Sequence, residues 1–261
     1  MNIFAGKYKL LKQNIMKKII ALLVITFSIF SFYSCKEDKD NTPTTKPYTN
    51  ISLQDAKRYV GLDYNTVKAE LEAKGFRLLT EFPEDNIYGY ANADTTLSYS
   101  LFINASNIIY RVNHGKMSKN IDNTLSNFEF CQGECINEVN NSSDYYSYFA
   151  TNNIFFGDIF DSQEEFQNYF NQNKYTVFYC VESWESDNYL YGIEFLNLKA
   201  FENEDTETNT TTTPTTPEEE QTYTNPYGIG VTFMDKSLAP EGTFEKSNIT
   251  HNSGFIYLPK R

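Results

Sequence analysis

Leu97-Ser98-Tyr99-Ser100-Leu101-Phe102-Ile103 decides the fold. Leu97, Tyr99, Leu101 and Ile103 alternate with Ser98, Ser100 and Phe102, close to the two-residue period of a half-buried strand, and Thr96 to Asn104 is read as that strand. Ala105-Ser106 makes a tight turn into a further strand, Asn107 to Asn113. On the N-terminal side, Ile87 to Asn92 is bounded by Asp85-Asn86 and Asn92-Ala93-Asp94, and Phe76 to Phe82 is stopped by Pro83. The connections are too short for crossovers, so these four strands form an antiparallel meander.

Two helices precede the meander. Ser52 with Asp55 three residues later reads as a capping box with Asp replacing Glu. It opens a short helix, Leu53 to Val60, that ends at Gly61. Asp63 caps a second, Tyr64 to Lys74, in which Tyr64, Val67 and Leu71 follow helical spacing and Gly75 suits the C-terminal cap. Beyond the meander, Ile121, Leu125, Phe128, Cys131 or Gln132, Cys135 and Val139 recur every three or four residues, which predicts a helix over Lys119 to Val139 with Gly133 as a weak point. Tyr145 to Phe156 is aromatic and extended. Asp161 caps a helix over Ser162 to Asn171. Lys174 to Ser183 and Asn188 to Phe201 form a hairpin about Glu185-Ser186-Asp187-Asn188.

The expected fold is α+β: helices packed on an antiparallel β-meander sheet, arranged as two loosely similar helix-plus-sheet units within a body spanning 51–201. Such tandem helix-helix-meander units resemble β-lactamase-inhibitor-like domains in element order, a resemblance that carries no function. Residues 202–224 are rich in Thr, Pro and Glu and cannot build a core, so a disordered linker or insertion is expected there. Residues 225–261 hold two strand-like pieces, Gly228 to Met234 and Gly254 to Leu258, which either return to the main sheet or form a tail.

The 261 residues carry a net charge of −12, and 16% of them are aromatic. Lys7, Lys9, Lys12, Lys17 and Lys18 lie in a 1–34 segment with no Asp or Glu, so its removal leaves −17. A body so acidic repels phosphate backbones and anionic headgroups, which excludes nucleic acid as a partner and an electrostatic membrane patch. Met16-Lys17-Lys18 reads as the true start and basic end of a signal peptide spanning 1–34. Ile19 to Phe32 is an uncharged apolar run, shorter than the roughly 20 residues that a spanning helix needs.

That run ends in Phe32-Tyr33-Ser34-Cys35, which resembles the lipobox of bacterial lipoproteins of the Bacteroidetes type. Ser34 fits the small residue before the cysteine, while Phe32 and Tyr33 depart from the usual pattern. The resemblance implies cleavage before Cys35 and acylation of its sulfur; each buried CH₂ contributes about 0.8 kcal/mol, and two chains anchor stably. Residues 35–50 would then be a lipidated, flexible tether. Lys36-Glu37-Asp38 resembles the acidic signal that exports such lipoproteins to the outer face of the outer membrane. Asp94-Thr95-Thr96 resembles their three-residue O-glycosylation site.

Cys131 and Cys135 share a helix face at i and i+4 and are read as buried small residues, a disulfide or two ligands of a metal site. Cys180 belongs in the core. Trp184 and the cluster Tyr145, Tyr146 and Tyr148 are candidates for stacking on sugar rings or a protein partner, against core packing. Glu164, Glu165, Glu182, Glu185, Asp187 and Glu194 supply carboxylates that could hydrolyse a glycan if a pair converged. Gly228-Ile229-Gly230 lacks the rest of a dinucleotide fingerprint. There is no nucleophile-elbow motif, and His114 and His251 are the sole histidines. No cofactor is expected.

The leading expectation is a surface-exposed lipoprotein, anchored to the outer membrane and facing outward, with a non-enzymatic role in binding a glycan or protein. The alternatives are a lipid-anchored glycan hydrolase and a structural envelope assembly partner. Exposure of Trp184 and the tyrosines would favour binding, convergence of the glutamates hydrolysis, and burial or scatter of both the structural role.

Overall fold

The computed structural model describes residues 49–139, 143–153, 156–202, 224–241 and 243. Residues 1–48, 203–223 and 244–261 lie outside these, and with them Cys35, the Lys36-Glu37-Asp38 segment, His251 and the strand-like piece at 254–258. The fold is α+β: among the described residues, five helices pack against one nine-stranded antiparallel sheet. The strands are β1 (Arg77–Phe82), β2 (Ile87–Ala91), β3 (Leu97–Ile103), β4 (Ile109–Ser118), β5 (Asp144–Asn153), β6 (Phe156–Phe160), β7 (Tyr179–Glu185), β8 (Tyr189–Asn197) and β9 (Tyr227–Asp235). Their spatial order is β1-β2-β3-β4-β9-β8-β7-β5-β6. The two expected units are therefore two sides of one sheet, with β9 bonded to both β4 and β8.

The helices are α1 (Leu53–Lys57), α2 (Tyr64–Ala73), α3 (Ile121–Glu138), α4 (Gln163–Asn173) and α5 (Leu198–Glu202). Ser52 and Asp55 form the expected reciprocal box at the start of α1. Asp63 caps α2, which ends in a Schellman turn: Phe76 N–H donates to Leu71 O, Gly75 N–H donates to Glu72 O, and Gly75 has φ +83°. α3 passes through Gly133 unbroken and is capped by Asn120. Two differences are local. Ser162 rather than Asp161 caps α4, and Leu198–Glu202 coils into α5 instead of prolonging β8.

β4 runs five residues past Asn113, because its backbone stays paired with β3 and β9 through polar His114, Gly115 and Lys116. β3 is not half-buried: Ser98, Ser100 and Phe102 are as enclosed as the residues alternating with them. The reason is that both faces of the sheet carry a core. On the helix face, Tyr99, Leu101, Val112, Ile193, Phe195, Ile229 and Val231 meet Leu53, Val67, Leu71, Leu125, Phe128, Phe166 and Phe170. On the far face, Phe102, Tyr110, Tyr179, Val181, Leu190, Leu196 and Met234 form a second cluster joined by Leu198 and Leu238.

α1 is tied to α3 by side chains that act as backbone partners. Asn127 accepts from Ile51 N–H at 2.9 Å and donates to Ile51 O at 2.8 Å, and Glu134 accepts from Leu53 N–H at 2.7 Å. These bonds satisfy groups that the chain's entry into α1 would otherwise bury unpaired.

Candidate functional site

The strand pleat sorts the carboxylates. Glu182 pairs with Ile193 and Val181 with Glu194, so the two glutamates of the β7–β8 hairpin point to opposite faces. Glu185 shares the Glu194 face but lies four residues along β7 from the Glu194 row, about 13 Å at strand rise. It is paired to Lys236 at 2.7 Å. Glu164 and Glu165 sit exposed in the first turn of α4, where the helix dipole favours them, and Asp187 is exposed in the β7–β8 turn. Among the described carboxylates, these six do not converge on one site.

Glu182 is fully buried on the helix face. Its Oε1 accepts from the Tyr145 hydroxyl at 2.7 Å and its Oε2 from Gln132 Nε2 at 2.5 Å. The same Gln132 amide donates to Gln167 Oε1 on α4 at 2.9 Å. Burial pushes the carboxyl up to about 7 against the pull of its two donors. Glu194, on the far face, is 6% exposed and accepts from Tyr179 Oη at 3.1 Å. Burial raises it as well, opposed by that bond and by the charge of Arg111. Its carboxylate lies over Gly230, where a Cβ would come within 2.5 Å of Oε1.

Around Glu194 the far face carries a buried polar row that the sequence reading missed. Ser100, Asn113, Thr232, Gly192 and Ser183 stand in register across β3, β4, β9, β8 and β7. Asn113 Oδ1 accepts from Arg111 Nε at 3.1 Å and from Thr232 Oγ1 at 2.9 Å, and the guanidinium lies 4.5 Å from the Phe102 ring centre. The sequence signal was the run of small polar residues in alternate strand positions, which a half-buried strand would have turned to solvent.

The aromatic candidates divide the same way. Trp184 is 4% exposed and packs on Tyr145 in the helix-face core, with ring centres 5.7 Å apart. Neither forms the exposed platform that was a candidate reading, because their parity turns them under the helices. Tyr146 and Tyr148 are half-buried against the far-face cluster. Among the described aromatics Tyr175 and Phe130 are exposed, and so is Tyr189, 40% accessible, at the first position of β8. Its ring stacks on Phe233 at 5.7 Å and lies 6.3 Å from Tyr191. Lys57 Nζ sits 5.5 Å from the Phe233 ring centre and pairs with Glu138 at 2.9 Å. The turn behind Tyr189 is closed by Ser186 N–H on Tyr189 O and by Lys236 Nζ on Ser186 O.

Cys131, Cys135 and Cys180 are free and buried, so the Cys131–Cys135 disulfide does not form. Both thiols project inward from α3, and Cys131 Sγ bonds Ile51 O at 3.3 Å. Burial pushes all three thiols up, which keeps them protonated. His114 stacks on Tyr99 at 4.0 Å, and its Nδ1–H donates to Ser98 O; desolvation pulls it down to about 4. Among the described residues no group of three or more His, Cys, Asp or Glu is placed to hold a metal, and no helix is long and apolar enough to cross a membrane. Asp94-Thr95-Thr96 forms the β2–β3 turn, with Thr96 Oγ1 donating to Asp94 Oδ1. No family model, curated protein or solved structure matches the chain.

Proposed function

We propose that this protein is a lipid-anchored envelope protein, held by acyl chains on Cys35, whose body works by binding a glycan or protein at the cell surface. The anchor rests on the apolar run Ile19 to Phe32 ending at Ser34-Cys35, followed by a polar tether. The binding role rests on one observation: the exposed ledge of Tyr189 stacked on Phe233 beside Tyr191, framed by the Lys57–Glu138 pair. An aromatic ring with one open face and nearby polar groups suits a sugar ring or a partner's side chain.

Metabolic labelling with a radiolabelled fatty acid tests the anchor. Label is expected on the wild type and absent from Cys35→Ala, and label on that variant overturns the anchor. Affinity capture of envelope and glycan fractions on residues 49–261 tests the ledge. Tyr189→Ala is expected to cut capture at least tenfold with thermal stability unchanged, and undiminished capture overturns the role of Tyr189. The structural reading is favoured by a different observation, the burial of Trp184 and the scatter of the carboxylates. It predicts co-purification with one stoichiometric envelope partner.

A further inference from the structure

Glu182 is an acid in a place that offers its charge no counter-ion. Among the described residues it makes no ion pair, and it is fully buried on the helix face of β7. The groups facing it are neutral. β5 contributes the Tyr145 phenol, α3 the Gln132 amide and the Cys135 thiol, and β7 the Cys180 thiol; α4 reaches it only through the Gln167 amide bound to Gln132. β5 and α3 thus bond one carboxyl of β7 directly, and α4 joins them through Gln167. A neutral amide or hydrocarbon would hold the same elements together without a desolvated charge.

We infer that Glu182, Gln132, Gln167 and Tyr145 form a proton-sensitive latch that seats α3 and α4 on the sheet. When Glu182 is protonated, the enclosed cluster is neutral and its donors and acceptors are matched, with the Tyr145 hydroxyl free to turn and accept. When the proton leaves, a bare charge stays in a site of low polarity, and the relief open to it is water entering between α3 and α4 at Gln132–Gln167. The latch therefore closes on the acid side of neutrality and loosens on the alkaline side.

The sign follows from linkage. Burial raises this carboxyl in the folded chain and not in the unfolded one, so stability is complete below about 4.5 and is lost as pH rises through about 7. The contribution of this one group to the unfolding constant is expected to grow on the order of tens-fold between pH 5 and pH 8.

The test compares wild type with Glu182→Gln by denaturant unfolding from pH 5 to pH 8, together with amide hydrogen exchange of α3 and α4 corrected for intrinsic rates. The wild type is expected to lose stability relative to the variant across that range. Exchange is expected to rise at residues 163–173 and around Gln132 in the wild type alone. Parallel pH profiles for the two proteins overturn the latch. Direct titration of the Glu182 side-chain carboxyl in the wild type, by carbon NMR, keeps the test independent of how the variant folds: a midpoint near neutrality supports the latch, and a midpoint near 4.5 ends it.

Discussion

Glu182 and Glu194 stand on adjacent strands of one hairpin and are both enclosed, yet they live in different chemistry. Glu182 faces the helices and meets only neutral donors. Glu194 faces the opposite side and has a phenol, a glycine floor and the field of Arg111. One residue of strand parity separates a carboxyl with only neutral neighbours from one that also feels the charge of Arg111. The comparison also shows that this sheet has two interiors, and that a carboxylate pair cannot be read from closeness in sequence.

The largest expected effect tests whether the far face is an interior as the helix face is. Phe195→Ala should cost about 3–5 kcal/mol and its neighbour Leu196→Ala about 2–5 kcal/mol, since each leaves a cavity. Urea unfolding measures both. A Leu196→Ala cost within about 0.5 kcal/mol, typical of a surface site, would break the equivalence of the two faces. Next comes His114, whose shift runs opposite to that of Glu182. Its folded value lies below the unfolded one, so its contribution is present above about 6.5 and is lost as pH falls toward 4. The loss is at most about 3 kcal/mol. His114→Phe should flatten the acid side of the stability profile, and an unchanged acid limb would refute the assignment.

A smaller effect sharpens the contrast between the glutamates. Tyr145→Phe removes one of the two donors to Glu182 and should cost about 1.5–3 kcal/mol at pH 8. Tyr179→Phe should cost less, because Arg111 continues to favour the Glu194 carboxylate; equal costs would mean that the guanidinium contributes nothing. Smallest is Tyr189→Ala, which should change the unfolding free energy by no more than about 0.5 kcal/mol. A large loss would show that the ledge is a piece of the core.

Much of the first side of the sheet was legible because its signals are local. Ser52 and Asp55, Asp63, and Gly75 each bond backbone within a few residues, and the β1–β4 turns are tight. Three things were hidden. Where β9 pairs depends on β4, more than a hundred residues earlier, and no local pattern encodes that. The polar row of Ser100, Asn113 and Thr232 looked like a solvent side because enclosure on both faces cannot be told from amphipathic alternation when small polar residues fill one face. Parity along β7 would have placed Trp184 with Cys180, and hence in the core, while Tyr189 gave no signal beyond standing next to a turn.

The position of β9 has a consequence for assembly. The last of the nine described strands in sequence is the central one in space, so β1–β4 and β5–β8 can each form early, leaving β4 and β8 as bare edges until residues 227–235 arrive. Unpaired edges recruit other chains, and contacts this distant in sequence close slowly. A chain stopped before Tyr227 should therefore self-associate through those two edges, and adding a peptide of residues 227–235 should restore the monomer.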